Sequence, residues 1–488
     1  MRSYGVFIEG EWQATAESYE VRNPANGEVI ALCAVAGSQA VEQAVQAAQR
    51  AFPDWAARSY EERGEILRAV ATGIQKRFEE FAFVESQQTG RCLRETMAHD
   101  IPATINVFEY FAGIAPAIHG ETLPVPGNYL NYTRREPYGV VAAITPWNFP
   151  LWLAAIKVAP ALVAGNTMVI KPAPTTPLTT LMLAEVMAEA GVPAGVFNVI
   201  TDPTPGTVGD LLTAHPKVNK IAFTGSTAVG VRVMQRAAMN VTPVSLELGG
   251  KSPFIVFADC DFERALAYAL LANFFAQGQM CTAATRILVE RPLYERFKEA
   301  FVARAARLQI GDPLDPTTEF ATLHKREQLE KTMQYVQLAR QDGATVLTGG
   351  NRLTEPPFDK GFYFQPTVLE HVPFDSRVAC EEIFGPVAML FPFDGEEEAV
   401  RLANATEYGL GAGIWTQDIG KAHRVAHQLQ AGKVWINCYN MIPPGAPYGG
   451  YKKSGFGREL GLHCLLELYT QIKDIQIDLS PDYFEWFG

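Results

Sequence analysis

Val140-Val141-Ala142-Ala143-Ile144-Thr145 is followed by the apolar stretch Leu151 to Ala164, closed by Gly165, and then by Met168-Val169-Ile170-Lys171. The first and third runs have the length of buried strands, and the second is long enough for a buried helix with a glycine stop. A second cycle follows at once. Leu178 to Ala190 reads as a helix stopped by Gly191 and Pro193, then a strand at Val196 to Ile200, a helix near Val208 to Ala214 and a strand at Lys220 to Thr224. Strand and helix alternating at this pace predict an α/β fold. Its sheet is parallel with right-handed crossovers, and its ligands sit at the C-terminal ends of the strands.

Working outward, Pro243 to Leu248 reads as a further strand leading into Gly249-Gly250. Strands and helices then restart through Phe254 to Val256 and the apolar helix Arg264 to Phe275, so a domain boundary is expected between them. Upstream, Asn23-Pro24-Ala25-Asn26-Gly27 reads as a turn, and Ser38 to Phe52 as a helix capped by Ser38 and ended by Pro53. Near the end, Ile475, Ile477 and Leu479 alternate with polar residues, the period of a half-buried strand, before Tyr483-Phe484-Glu485-Trp486-Phe487. Tyr129 to Arg135 has the same look, and the two segments are expected to form arms that pack on a neighbouring subunit.

A chain of 488 residues exceeds the size of one core and points to about three domains. Apolar residues make up 48% and charged residues 19%, which excludes disorder and collagen-like architecture. The net charge of −12 makes nucleic acid and anionic membrane poor partners and small ligands better ones. Seven scattered cysteines without a C-x-x-C pair suggest neither a disulfide framework nor a zinc ribbon, and a reducing compartment is expected. The opening residues lack the apolar region of a secretory signal, so the cytoplasm is expected by elimination. Two uncharged stretches, Tyr138 to Ile156 and Ala265 to Thr285, are long enough for a bilayer. The first is broken by Pro146, Asn148 and Pro150, and the second carries Asn273, Gln277, Gly278 and Gln279, so both are expected to be buried core.

Gly225-Ser226-Thr227-Ala228-Val229-Gly230 follows a strand and opens a helix, a place where amides and the helix dipole receive a pyrophosphate or simply make a turn. Gly250-Lys251-Ser252 mimics the end of a P-loop, but Ser245 stands where the first glycine is needed, so no phosphate loop is expected. His423 and His427 have the spacing of a metal pair; the residue after the first is Arg424 rather than a glutamate, and a solvated helix face is the better reading. Cys281, in Gly278-Gln279-Met280-Cys281-Thr282, stands where a glycine turn presents a thiol with backbone amides, although a lone cysteine is more often core. Glu247, at the end of its strand, is placed either as a base facing a cleft or as a loop anchor.

Several signatures occur together in order. They are Pro146-Trp147-Asn148-Phe149-Pro150, Lys171-Pro172, Phe223-Thr224-Gly225-Ser226, Leu246-Glu247-Leu248-Gly249-Gly250-Lys251, Gly278-Gln279-Met280-Cys281 and Glu381-Glu382-Ile383-Phe384-Gly385-Pro386. In this order the chain resembles the NAD(P)-dependent aldehyde dehydrogenases, from about Asn23 through Pro447-Tyr448-Gly449-Gly450 and Ser454-Gly455-Phe456-Gly457-Arg458-Glu459 to the last strand. The resemblance implies a Rossmann-like NAD-binding domain (1–117 and 138–248), an α/β catalytic domain (249–453) and a small β oligomerisation arm (118–137 and 454–488). A homo-oligomer, dimer or tetramer, follows from the same likeness.

It further implies that Cys281 attacks the aldehyde as thiolate and that Asn148 with the Cys281 N–H holds the oxyanion. Glu247 would activate the water that hydrolyses the thioester, and its presence favours an acid product over acyl transfer to coenzyme A. Lys157 and Glu459 match positions that assist proton movement. For the cofactor, Thr145, Pro146 and Trp147 would lie nearby and Lys171 would hold the adenosine ribose. Gly225 and Ser226 would sit near the pyrophosphate, and Glu382 with Phe384 at the nicotinamide end. Pro174 stands where many NAD-selective relatives have a glutamate, so NAD is expected and NADP remains open. The closest resemblance is to the betaine-aldehyde and aminoaldehyde branch. Phe149, Trp152, Ile156, Met280, Tyr439 and Ile442 would form the tunnel, and Ile156 replaces a cage tryptophan. An uncharged aliphatic or aromatic aldehyde fits these walls at least as well as betaine aldehyde. The competing readings are a catalytically silent, crystallin-like protein of the same fold and, ranked last, a cysteine hydrolase with no histidine assignable to Cys281.

Overall fold

The computed structural model describes residues 2–481 and 485–487. Strands Val140–Ile144, Thr167–Lys171, Phe197–Val199, Lys220–Thr224 and Val244–Glu247 lie parallel in one sheet. Helices Pro150–Val163, Leu178–Glu189, Val208–Thr213 and Thr227–Ala238 alternate with them. In space Val140–Ile144 is central, with Thr167–Lys171 on one side and Lys220–Thr224 on the other. Strand order reverses there, which is where an open α/β sheet leaves a crevice beyond its strand ends. A hairpin of Val6–Ile8 and Glu11–Gln13 extends one edge and Gly455–Phe456 the other, giving eight strands.

These strands are apolar on both faces because both are covered. Val141, Ala143, Met168 and Ile170 pack into a core with the helix Pro150–Val163, whose residues are all buried. Val140, Ala142, Val169 and Ile221 face a second core with Val41, Ala44 and Leu212. The uncharged run through residue 156 is therefore interior. Among the described residues no helix is long and apolar enough to cross a membrane.

A second sheet of seven strands holds Pro253–Val256, Arg286–Glu290, Val387–Phe393, Thr367–Glu370, Gly411–Trp415 and Lys433–Ile436 in parallel, with Thr345–Thr348 antiparallel at one edge. In a third, small sheet, Tyr129–Pro137 pairs antiparallel with Thr470–Asp478 over nine residues, and Thr122–Leu123 adds an edge.

Three expectations are corrected. The first helix runs over Ser38–Ala57 with Pro53 inside it, and its cap residue is Gly37, with no side-chain cap. Buried Trp55, whose indole N–H donates to the Leu162 carbonyl at 3.0 Å, holds the last turn despite the proline. The arm expected from residue 454 begins as a strand only at Thr470. Before it, Gly455–Phe456 pairs with Val244–Glu247, and Leu460, Cys464, Leu465 and Tyr469 join the core of the first sheet. Of the aromatic tail, Tyr483 and Phe484 lie outside the described residues.

Candidate active site

Glu247 ends the last parallel strand of the first sheet, and Gly249-Gly250 carry the chain toward the second. A Cβ on Gly249 would lie 2.5 Å from a Glu382 carboxylate oxygen, and one on Gly250 2.3 Å from the Cys281 carbonyl oxygen. Only glycine permits both approaches. The Gly250 N–H donates to Glu382 Oε1 at 3.0 Å. Buried Lys251 donates from Nζ to the carbonyls of Val378 at 2.8 Å and Glu381 at 2.6 Å, which fixes the segment presenting Glu382. Burial pushes the Lys251 ammonium down to about 7. The Gly250-Lys251-Ser252 triplet is thus an internal anchor.

The thiol loop is built by an unusual turn. After the helix Phe262–Phe274, capped by the Asp261 side chain, Ala276, Gln277 and Gly278 take φ of 51°, 56° and 69°. Non-glycine residues in this left-handed region cost about 1–3 kcal/mol each, so the surroundings must hold them there. The Ala276 N–H donates to Glu95 Oε1 at 3.1 Å. The Gln279 side chain donates to the Ala276 carbonyl at 3.1 Å and accepts from the His324 N–H at 2.9 Å. Half-buried Cys281 leaves this turn at the meeting point of two cavities.

The larger cavity, about 350 Å³, is mostly apolar, and Phe149, Trp152, Met280, Tyr439 and Ile442 all line it. Ile156 does not. It is fully buried in the core beneath the first sheet, because one helix turn beyond Trp152 the helix Pro150–Val163 is enclosed on every side. The smaller cavity, about 190 Å³, is lined by Pro146, Trp147, Gly225, Ser226, Glu382 and Phe384. Asn148, Leu153, Thr224, Leu248 and Cys281 belong to both walls.

Around the thiol, Cys281 Sγ lies 3.4 Å from the Tyr448 hydroxyl. Burial pushes the thiol up to about 12, opposed by that hydrogen bond. Asn148 Nδ2 donates to the Gln279 carbonyl at 3.0 Å, which orients the amide in the shared wall. Both carboxyl oxygens of Glu247 are buried without a hydrogen-bond partner among the described residues. Burial, followed by the neighbouring Glu459, raises the Glu247 pKa well above the ordinary carboxylate range. Glu459 is itself ion-paired with Lys157, both sealed from solvent, and its other oxygen is unpartnered among the described residues. Glu247 and Glu459 line the larger cavity with the thiol.

The smaller cavity fits a dinucleotide by its donor set. Ser226 caps the twelve-residue helix Thr227–Ala238, accepting from the Val229 N–H at 3.4 Å, so a helix N-terminus faces the cavity. Glu382 offers a half-buried carboxylate, its pKa raised by desolvation. Phe384, at φ 62°, meets the edge of Trp147 at 5.3 Å. Thr145, Lys171 and Pro174 lie outside this cavity. The Thr145 N–H donates to the Lys171 carbonyl at 3.2 Å, and burial lowers the half-buried Lys171 ammonium, opposed by Asp202.

Several wall residues escaped the sequence reading. His99, Tyr268, Phe275 and Tyr448 line the apolar cavity, and Lys325 and Lys331 the polar one. His324 stacks on Trp147 at 4.5 Å. Its Nδ1 faces the Thr89 carbonyl at 3.2 Å and its Nε2 the Thr175 hydroxyl at 2.6 Å, and burial depresses its pKa to about 3, so the ring is neutral. Tyr448 had a signal, standing within a quoted motif, and Phe275 ends the apolar helix read from the sequence. His423 and His427 point to solvent, and among the described residues no group of side chains is placed to hold a metal.

Residues 12–475 match the aldehyde dehydrogenase family. Among solved structures, a Burkholderia cenocepacia protein assigned as an aldehyde dehydrogenase is 43% identical at a TM-score of 0.98, with 100% of both chains covered. Betaine aldehyde dehydrogenase of Staphylococcus aureus, crystallised with NAD+, is 40% identical at a TM-score of 0.97, covering 100% of this chain and 97% of that one. PnpE of Pseudomonas sp. WBC-3 is 41% identical at a TM-score of 0.97, with 100% of both chains covered. The two-sheet architecture, the cysteine at the meeting of its two cavities and the extent of these matches lead to one conclusion: the chain belongs to the aldehyde dehydrogenase family and has the aldehyde dehydrogenase fold.

Proposed function

We propose that this protein oxidises an uncharged aliphatic or aromatic aldehyde to its carboxylic acid with NAD, through a thiohemiacetal and a thioester on Cys281. The observation that carries this is the position of Cys281 in the common wall of an apolar cavity and a polar one. An aldehyde in the first and a dinucleotide in the second would meet at the thiol.

The Cys281 thiolate attacks the carbonyl carbon; a C–S bond forms and the carbonyl π pair moves to oxygen. The Asn148 amide and the Cys281 N–H stabilise that oxyanion, each such donor being worth about 3–4 kcal/mol. Trp147, Ser226, Glu382 and Phe384 would hold NAD, which would supply the acceptor for the hydride lost from the adduct carbon as the oxyanion re-forms a carbonyl and leaves the thioester. Glu247 as carboxylate then takes a proton from water, the hydroxide adds to the acyl carbon, the C–S bond breaks and the thiolate is regenerated. A carboxylate whose pKa is raised by burial is the stronger base for that step. We assign NAD over NADP, since NAD accompanies the Staphylococcus aureus relative. We also assign the protein to a reducing compartment, the cytoplasm by preference, and to a homo-oligomer formed through the small sheet, which exposes Ile472 at 60% and Ile477 at 41%.

The substrate assignment rests on the aromatic wall. The Arg91 guanidinium already lies over Phe149 at 4.0 Å and Phe275 at 5.3 Å. Those rings have their cation, which favours a neutral substrate over a quaternary ammonium. The likeness to betaine aldehyde dehydrogenase supports betaine aldehyde as a second reading. Purified protein with NAD and a panel of aliphatic, aromatic and betaine aldehydes, followed by NADH absorbance, is the test. Turnover of none would refute the oxidation, and a higher kcat/KM for betaine aldehyde than for every neutral aldehyde would replace the substrate. Running the panel with NADP checks the cofactor.

A further inference from the structure

We infer that Tyr448 is a catalytic residue whose hydroxyl donates a hydrogen bond to the Cys281 sulfur and favours its attacking, anionic form. The inference rests on the reading of Cys281 as the nucleophile.

Four observations carry it. The Tyr448 Oη to Cys281 Sγ distance is 3.4 Å, and this sulfur is the hydroxyl's one hydrogen-bond partner among the described residues. A phenol buried to this extent, 5% exposed, usually finds a partner, and here the partner is the reacting atom. The tyrosine is held rigidly. Its N–H donates to the Glu459 carbonyl at 2.8 Å and its carbonyl accepts from the Glu459 N–H at 2.6 Å, in an isolated antiparallel bridge. It also lines the apolar cavity and not the polar one, so a change at its hydroxyl leaves the proposed NAD site intact.

The direction of donation follows from the charges around the pair. Glu247 and Glu382 face the sulfur as carboxyl groups, and Tyr439 is a further neighbour, neutral while protonated, whose ionisation a Cys281 anion disfavours. Tyr448 is faced by Cys281, Glu247 and Glu459. No cation offsets the thiolate in this set, and each of these groups penalises a phenolate. The tyrosine therefore keeps its proton, and the sulfur anion is the acceptor. When the thiol ionises, its proton leaves to solvent and the Tyr448 O–H bond stays unbroken. Hydrogen bonds to the charged form, from the Tyr448 hydroxyl and then from the Thr282 backbone, favour it. A phenylalanine would fill the same space without the hydroxyl's hydrogen bond.

The test is Tyr448→Phe in the full-length protein, read by the ultraviolet band of the Cys281 thiolate during a pH titration, with Cys281→Ala as the subtracted blank. The band is expected to rise about one pH unit higher in Tyr448→Phe, so that about tenfold less thiolate is present at a fixed pH. Alkylation of Cys281 by iodoacetamide at that pH slows by only about threefold, since the more basic thiolate is intrinsically more nucleophilic. NAD binding stays unchanged and reports that the fold is intact. A merely structural role would not move the thiolate band. A band rising at the same pH in both proteins, with Cys281→Ala inactive, would overturn the role of the tyrosine alone. Aldehyde oxidation surviving in Cys281→Ala would remove the nucleophile reading and the tyrosine's role with it.

Discussion

The Lys157 ammonium and the Glu459 carboxylate form an ion pair sealed from solvent, joining two segments 302 residues apart. Lys157 comes from the all-buried helix Pro150–Val163. Glu459 lies past the second sheet, beside the unpartnered carboxyl of Glu247. The pair sets the charge balance of the apolar cavity's floor, because Lys157 opposes the mutual repulsion of the two carboxyl groups.

Lys157→Met leaves Glu459 buried without its cation. Removing one partner of a buried pair costs about 3–5 kcal/mol, and urea unfolding should register a loss of that order. Lys157→Met combined with Glu459→Leu should recover most of it. A single variant as stable as the parent would show that the pair does not hold these segments together.

Glu247→Gln should stop the cycle after acylation. The glutamine cannot take the proton from water, so a stoichiometric acyl adduct on Cys281 is expected by mass spectrometry after mixing with aldehyde and NAD. Steady-state turnover should fall by about 10²–10⁴-fold, the usual contribution of a general base. A deacylation rate equal to that of the parent would assign the water-activating role elsewhere.

The same substitution should stabilise the protein in a pH-dependent way. Burial raises the Glu247 pKa in the fold. The stability contributed by its neutral form is complete below the ordinary carboxylate pKa and is lost as pH rises through the folded value. Glutamine does not titrate, so Glu247→Gln should match the parent near pH 4 and melt higher near pH 8. Each kcal/mol is worth about 2–4 °C in a protein domain. Equal melting temperatures at pH 8 would mean that the carboxylate is solvated after all.

Asn148→Ala removes the one side-chain amide common to both cavity walls, which the Gln279 carbonyl orients. Loss of one oxyanion donor lowers kcat by about 10²–10³-fold, and steady-state kinetics with NAD binding measured alongside should show that fall with cofactor affinity retained. A drop confined to KM would place Asn148 in substrate binding alone.

Ile472→Lys, on the exposed face of the small sheet, should shift the sedimentation coefficient toward a smaller assembly. An unchanged coefficient would locate the subunit contact elsewhere.

Legibility differed sharply between elements. The strands at Val140–Ile144 and Lys220–Thr224 and the helices between them are readable because apolar period, glycine stops and proline breaks are properties of neighbouring residues. The first helix shows the limit of local signals, since Pro53 reads as a stop until the packing of Trp55 against Leu162 is known. Cys281, Glu247 and Asn148 lie in quoted signatures, and the structure brings all three to the apolar cavity. Trp152 and Ile156 lie one turn apart on a helix that is buried on every side, so the sequence gives no reason for one to line the cavity and the other to be enclosed.

By itself, then, the sequence determined the alternation of strands and helices, the internal character of its uncharged run through residue 156 and the order of the signatures that place the chain in its family. The tertiary structure alone decided which side chains meet: Tyr448 against Cys281, Lys157 against Glu459, Arg91 over Phe149, His324 on Trp147. Periodicity is fixed by covalent neighbours, whereas a contact between segments 167 residues apart, as for Cys281 and Tyr448, depends on sheet order, on strand register and on the rotation of each helix about its axis. None of those is written in any single stretch of chain.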